Sequence, residues 1–238
     1  MSDHPTILIT GGTRRLGRAI AQHYAQLGWR LVLGYLSDDA AAEAARDSLA
    51  GIARGVRIVQ CDTGEAEQVA SMLDSVAEQE GRLDFLLHNV GRYLPRPATE
   101  VKPLDWQRTI NANLNGGFFC AHHGLELLRA SRGLLGFMGY SGLESLRADP
   151  DAMDYQVSKI GLLSLVKTLG VAYGPLGVRV AMVSPGQMSN SIDLPESVQR
   201  IPIPRWGMAE DLCQAWDYLL SANYVTGVNI DVAGGFRL

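Results

Sequence analysis

Short, solid apolar runs alternate along this chain with longer stretches in which apolar residues recur every three or four positions. The first run, Thr6–Thr10 (TILIT), is apolar and β-branched throughout, which predicts a strand buried on both faces. The next stretch places Leu16, Ile20, Tyr24 and Leu27 on one helical stripe, and Gly28 ends it. Arg30–Tyr35 (RLVLGY) predicts a second strand. Strand, glycine-bearing turn, helix and strand make one βαβ unit, which nearly always crosses right-handed.

The pattern then repeats. Helices are expected over residues 40–49 and 65–80, the latter with Val69, Leu73 and Val76 inward, and strands over 56–60 and Phe85–His88. Beyond a loop carrying Pro95, Pro97 and Pro103, residues 104–130 predict one long helix and 154–173 a second. Strands are expected at Leu134–Met138, 178–183 and Val228–Val232, with a helix over 209–220. No linker, low-complexity segment or repeat of solenoid length interrupts the alternation. The expectation is a single α/β domain over residues 1–238: a doubly wound parallel sheet of about seven strands with helices on both faces, the Rossmann arrangement.

Composition narrows the function. Hydrophobic residues make up 47% of the chain, enough for a sizeable core, and the net charge of -4 argues against a nucleic-acid surface. Cys61, Cys120 and Cys213 lie far apart and form no CxxC, so they read as buried thiols of a reducing compartment. His122-His123 has no partner acid in sequence, so no metal site is expected. Glu65, Glu67, Glu78 and Glu80 read as a solvated helix face. The N-terminus shows no cleavage pattern and no apolar run could span a bilayer, so a cytoplasmic, membrane-free protein is expected.

Candidate chemistry gathers beyond the carboxyl ends of the strands, where open parallel sheets bind ligands. The turn of Gly11, Thr13, Arg14, Arg15, Leu16 and Gly17 follows the first strand and opens a helix. There, backbone N–H groups and the positive helix end suit a phosphate. Asp62, Asn89, Gly91, Tyr140, Ser141, Pro185 and Gly186 stand at other strand ends. Tyr155 and Lys159, spaced i, i+4, share one helical face, and an ammonium so placed is expected to draw the phenol pKa down towards the working range.

Taken together, Thr10-Gly11-x-x-x-Arg15-x-Gly17, Asn89-x-Gly91, Asn113, Tyr155-x-x-x-Lys159 and Pro185-Gly186 resemble the short-chain dehydrogenase/reductase family, over nearly the whole chain. That resemblance implies a nicotinamide-dependent oxidoreductase, a homodimer or homotetramer built on the two long helices. It implies Tyr155 as general acid and Lys159 as a ribose ligand that lowers the Tyr155 pKa. It implies Asn113 as a water-holding relay residue and Asp62 as an adenine contact.

Three positions depart from the family pattern. Arg15 replaces the middle glycine of the turn, and Arg14-Arg15-Leu16-Gly17 is similar to the pteridine-reductase branch, where this arginine sits near substrate and cofactor phosphates. The substrate-oxygen serine, or the aspartate of that branch, falls on Gly142 when counted back from Tyr155 and on Tyr140 when counted from the strand. Ser141 lies between and is the first choice, Tyr140 the second. His88 stands where asparagine is usual and reads as a hydrogen-bonded structural residue.

The second strand ends in Gly34-Tyr35-Leu36-Ser37 with no acid to hold ribose hydroxyls, and Asp38 and Asp39 read as caps of the next helix. NADPH is therefore favoured over NADH, with Arg14 and Ser37 available to its 2′-phosphate. The functional expectation is reduction of a C=O or C=N group of a small molecule. A pterin-type ring is slightly favoured, and a 3-oxoacyl thioester or other small carbonyl is the alternative. A non-catalytic dinucleotide sensor is a third reading, disfavoured by an intact Tyr155, Lys159 and Asn113. The segment 187–204 is expected to set the substrate, and Trp206 and Met208 to line a pocket or simply pack.

Overall fold

The structure, a computed structural model, describes residues 4–191, 194 and 197–237. Seven strands form one parallel sheet in the order β3-β2-β1-β4-β5-β6-β7. They are β1 Thr6–Thr10, β2 Arg30–Tyr35, β3 Gly55–Gln60, β4 Phe85–His88, β5 Leu134–Met138, β6 Arg179–Pro185 and β7 Val228–Val232. Helices α1 Arg15–Gln26, α2 Asp39–Ala50, α3 Ala66–Gln79, α4 Pro103–Ile110, α5 Gly116–Ser131, α6 Met153–Tyr173 and α7 Ala209–Ser221 pack on its two faces.

The solid apolar strands follow from this layering. Because strand side chains alternate, Leu8 of β1 enters a core with α3, α5 and α6, while Ile7 and Ile9 enter one with α1 and α7. Each fully buried large apolar side chain contributes ~1.5–3 kcal/mol, so both faces must be apolar for the sheet to hold its helices. Gly136 of β5 shows how tight the second core is. A Cβ there would lie 2.7 Å from the Phe85 ring and 2.9 Å from the Trp216 indole, so Gly136→Val would push α7 off the sheet.

Strand order reverses between β1 and β4, which pair with Thr10 opposite His88. This is the switch point at which such sheets open a crevice, and it places the Gly11 turn beside Asn89.

The stretch 104–130 is not one helix. A π-helical turn, Asn111–Asn115, separates α4 from α5. The extra residue frees main-chain carbonyls, and both find donors: Thr63 Oγ1 donates to Ala112 O (3.3 Å) and His88 Nε2 to Asn113 O (3.1 Å). With Nε2 protonated, His88 Nδ1 accepts from Thr10 Oγ1 at 3.2 Å. Burial, with the nearby Lys159 charge, pushes the His88 imidazole down to about 3, so it stays neutral. It is a structural pin between β1, β4 and the π turn.

A second correction concerns Glu80. Its side chain is not on a solvated face but pairs with Arg30 (3.1 Å) and Arg57 (3.4 Å), closing the base of β2 and β3 over the end of α3. Asp38 does cap α2, accepting from Ala41 N at 2.9 Å.

Candidate active site

A cleft of about 630 Å³ opens at the switch point. Of the expected site residues, Gly11, Arg14, Arg15, Leu16 and Gly17 line it from the first turn. Asn89, Gly91, Ser141, Tyr155, Lys159, Pro185 and Gly186 line it from the other strand ends and α6. Asp62 lies in a smaller adjoining slot of about 100 Å³ that shares Gly11, Leu36 and Val90 with the cleft. Thr13 and Ser37 line neither, and Thr13 is buried. Asn113 is fully buried behind the wall. Trp206 and Met208 stand outside the lining, and Met208 holds the N-cap position of α7, its N–H donating to Asp211 Oδ2 at 2.8 Å. Of the segment 187–204, Gln187, Met188, Asn190 and Ser191 line the cleft; Ile192, Asp193, Pro195 and Glu196 lie outside the described residues.

The turn is shaped to leave a helix end open. Gly11 has φ 62°, and a Cβ on Gly17 would sit 2.2 Å from the Gly11 carbonyl oxygen and 2.7 Å from Asn89 Nδ2. Asn89 Nδ2 donates to the carbonyls of Thr10 (3.2 Å) and Gly11 (3.1 Å), tying the turn to β4. Helix α1 has no side-chain cap at Arg14 and no acid in its first turn. Its N–H groups and dipole therefore face the cleft uncompensated. Those features fit a dinucleotide pyrophosphate.

Arg15 occupies the turn at φ 46°, a left-handed geometry that any residue but glycine adopts at a cost of roughly 1 kcal/mol or more. The sequence places an arginine where the backbone asks for glycine, and the side chain lines the cleft.

Arg14 forms an ion pair with Asp38. The cation expected to read a 2′-phosphate is thus already partnered. The side chains are 55% and 44% exposed, so the pair is worth at most ~1 kcal/mol and a doubly charged phosphate could displace the carboxylate.

Around Tyr155 the walls are aromatic. The Tyr93 ring meets it edge-on at 4.9 Å between centroids, and the Tyr140 ring lies at 5.7 Å with a 33° tilt. Strand β5 ends at Met138, so Tyr140 is the side chain beside Tyr155, while Ser141 is buried and its N–H donates to Pro185 O at 2.9 Å.

The Lys159 ammonium is turned to main-chain oxygens rather than to the Tyr155 phenol. Its Nζ donates to Met138 O (2.7 Å) and to Val90 O (3.4 Å). Burial lowers its pKa to about 7. Burial, with Tyr140 and Tyr93 alongside, pushes the Tyr155 phenol above its ordinary value. Desolvation wins because the ammonium is spent on carbonyls rather than aimed at the phenol oxygen.

Behind the pair, Asn113 Oδ1 accepts from Arg92 N (2.7 Å) and its Nδ2 donates to Ser158 Oγ (3.0 Å). Ser158 Oγ donates in turn to Tyr155 O at 2.7 Å, so the π turn fixes the first turn of α6. Sequence reasoning missed Tyr93, Asp149, Phe236 and Arg237, all in the lining. They reach the cleft through loops and the chain end, where no periodicity signals an approach.

A doubly wound sheet with an open helix end at its switch point, and a half-buried tyrosine one helical turn from a buried lysine in the same cleft, defines a dinucleotide-dependent oxidoreductase. The chain belongs to the short-chain dehydrogenase/reductase family: residues 11–237 match the family model described as enoyl-(acyl carrier protein) reductase. It is 30% identical to 3beta-hydroxysteroid dehydrogenase 1 of Eggerthella lenta, over 98% of this chain and 94% of the relative. It is 29% identical to the 3-oxoacyl-[acyl-carrier-protein] reductase of Staphylococcus epidermidis, over 97% and 98%. Among solved structures, a putative short-chain alcohol dehydrogenase from Sinorhizobium meliloti superposes with a TM-score of 0.89 at 27% identity, covering 99% of this chain and 97% of that one. A blue fluorescent protein from a metagenomic library, in complex with NADPH, gives 0.88 at 27% identity, covering 98% of each. No helix among the described residues is long and apolar enough to cross a membrane, and no group of metal-ligating side chains occurs among them.

Proposed function

We propose that the protein is an NADPH-dependent reductase of C=O or C=N groups, with a flat, dihydropterin-type ring as its favoured substrate. The observation that carries this reading is Arg15, kept at φ 46° in the glycine position of the turn and lining the same cleft as Tyr93, Tyr140 and Tyr155. A planar heterocycle rich in acceptors uses both features, whereas a small neutral ketone uses neither.

A nicotinamide held in the cleft would supply the hydride. Tyr155 gives a proton to the nitrogen or oxygen of the reduced double bond, so one C–H and one N–H or O–H bond form as the π bond is lost. Lys159, whose ammonium lies 5.6 Å from the centroid of the Tyr155 ring, would hold the cofactor's ribose hydroxyls. Tyr140, whose ring adjoins Tyr155, steadies the substrate heteroatom, with Ser141 the second candidate for that role. Asn113 fixes the π turn and the start of α6. NADPH preference is supported by the absence of an acid at the end of β2 and by the displaceable Arg14–Asp38 pair.

A 3-oxoacyl thioester remains the second reading, favoured by the reductases of that substrate among the relatives. Assembly as a dimer or tetramer through α5 and α6 is supported by Phe118 and Val171 on those helices, 48% and 80% exposed. A cytoplasmic setting is supported by three buried, unpaired cysteines. NADPH oxidation with dihydropterins, acetoacetyl thioesters and small ketones tests the substrate. Turnover of thioesters alone would transfer the proposal to the second reading.

A further inference from the structure

The cleft carries a feature that hydride transfer does not use. Asp149 and Arg237 both line it, together with Phe236 and Tyr140. Arg237 Nη1 lies 3.6 Å from Asp149 Oδ2, beyond hydrogen-bonding distance, and the Arg237 guanidinium sits 5.5 Å over the Phe236 ring. Burial raises the Tyr140 phenol pKa, and the two charges bear on it in opposite senses, Asp149 raising and Arg237 lowering it.

Both partners are held in place. On one side the chain end is docked: Phe236 N donates to Ala233 O at 3.0 Å, and Arg237 has φ 60°. A Cβ on Gly142 would lie 2.8 Å from Arg237 O, and Gly142 N donates to Asp231 Oδ2 at 3.0 Å. On the other side, Arg96 N donates to Asp151 O and Ala98 N to Pro150 O, each at 2.8 Å. Arg96 also pairs at 3.0 Å with buried Asp154, which Thr109 Oγ1 meets at 2.7 Å. The loop bearing Asp149 is therefore clamped one residue before Tyr155. It is also the loop whose extra length separates the two placements of the family serine: Tyr140 stands at the strand end, two residues before Gly142.

We infer that Asp149 and Arg237 form a donor–acceptor subsite that selects a substrate with an amino–oxo edge, an exocyclic amine and a carbonyl on one ring. The carboxylate accepts from the amine and adjacent ring N–H, the guanidinium donates to the carbonyl oxygen, and Phe236 and Tyr140 flank the ring. Charge-assisted pairs of this kind are about twice as strong as neutral ones. They also discriminate against an analogue that sets an oxo group against the carboxylate. The inference rests on the reductase reading of the cleft and names the edge by which the ring is recognised.

The test compares dihydropterin, which has the amino–oxo edge, with dihydrolumazine, in which an oxo group replaces the amine, at saturating NADPH. The proteins are wild type, Asp149→Asn and Arg237→Met. Wild type is expected to show the lower KM for dihydropterin. In Asp149→Asn that KM rises about tenfold to a hundredfold, while the lumazine KM rises less or falls, because a carboxylate no longer opposes an oxo group. Arg237→Met raises both KM values with kcat changed less than KM. Equal KM changes for both rings in Asp149→Asn, together with a lowered Tm, would mean that the pair only ties down the chain end, and would overturn the subsite. Should wild type reduce ketones but no pterin, the substrate reading fails. Quenching titrations with oxidised pterin and lumazine in the presence of NADP+ then decide the subsite alone: no preference for pterin in wild type, or one that survives Asp149→Asn, overturns it.

Discussion

Lys159 Nζ donates to the Met138 carbonyl at 2.7 Å and stands 5.6 Å from the centroid of the Tyr155 ring. The ammonium is thus buried against main-chain oxygens, and this has a consequence for stability. Burial lowers its pKa to about 7, from 10.5. Between those values the unfolded chain binds more protons than the folded one, so this group makes stability rise with pH across that window. Below it, the whole cost of burying the charge is present, on the order of 3–5 kcal/mol for a shift of this size. Ligand-free Lys159→Met should melt well above wild type at about pH 6, with the gap closing by about pH 10. A gap independent of pH would show that Lys159 keeps its ordinary pKa.

Tyr155→Phe keeps the ring that packs against Tyr93 and Tyr140 and removes only the proton donor. Turnover should fall ~10²–10⁴-fold with NADPH affinity near that of wild type. Retention of wild-type kcat would remove Tyr155 as the acid.

The strands, their order of occurrence and the glycine turn were legible because both faces of each central strand are buried, which writes an unbroken apolar run. The break at Asn111–Asn115 was not, since every residue in it is compatible with a helix and the cause lies elsewhere: Thr63 and His88 supply the two donors it needs. The Tyr155–Lys159 spacing announced a shared face but not where the ammonium points, which depends on Met138 and Val90. Asp149 and Arg237 were invisible for a similar reason, being joined only through the docking of Phe236–Arg237 on Gly142.

Tyr140 and Ser141 are separated by parallel substitutions. Tyr140→Phe should lower kcat at least tenfold, because it removes the hydroxyl proposed to steady the substrate heteroatom beside Tyr155, while Ser141→Ala should cost less than threefold. These are about 1.4 kcal/mol and under 0.7 kcal/mol of transition-state stabilisation. The reverse ranking in steady-state kinetics would return the substrate-oxygen role to Ser141.

Asp38 has two jobs that conflict. Its Oδ1 caps α2 through Ala41 N, and its Oδ2 pairs with Arg14. Asp38→Ser keeps a capping oxygen and frees the guanidinium, so stability should change by less than ~1 kcal/mol while NADPH binds more tightly. Arg14→Ala should weaken NADPH binding about tenfold to a hundredfold, and NADH binding far less. Equal losses for both cofactors in titrations would show that Arg14 does not read the 2′-phosphate.

Arg15→Gly sets the backbone against the substrate. At φ 46° the arginine carries strain of roughly 1 kcal/mol or more, which glycine relieves, offset by ~0.5–1 kcal/mol from the freer unfolded chain. Tm should therefore hold or rise slightly, although a side chain has been deleted from the cleft. Under the pterin reading, dihydropterin KM should rise while NADPH affinity changes little, and reduction of a small neutral ketone should be nearly unaffected. Under the 3-oxoacyl reading, the loss should appear instead in the Kd for NADPH, because the guanidinium then serves only the phosphates. Steady-state kinetics with both substrates, and a melting curve, decide between them. A variant with unchanged pterin KM and a lowered Tm would mean that Arg15 is kept for the turn itself, against its own backbone geometry.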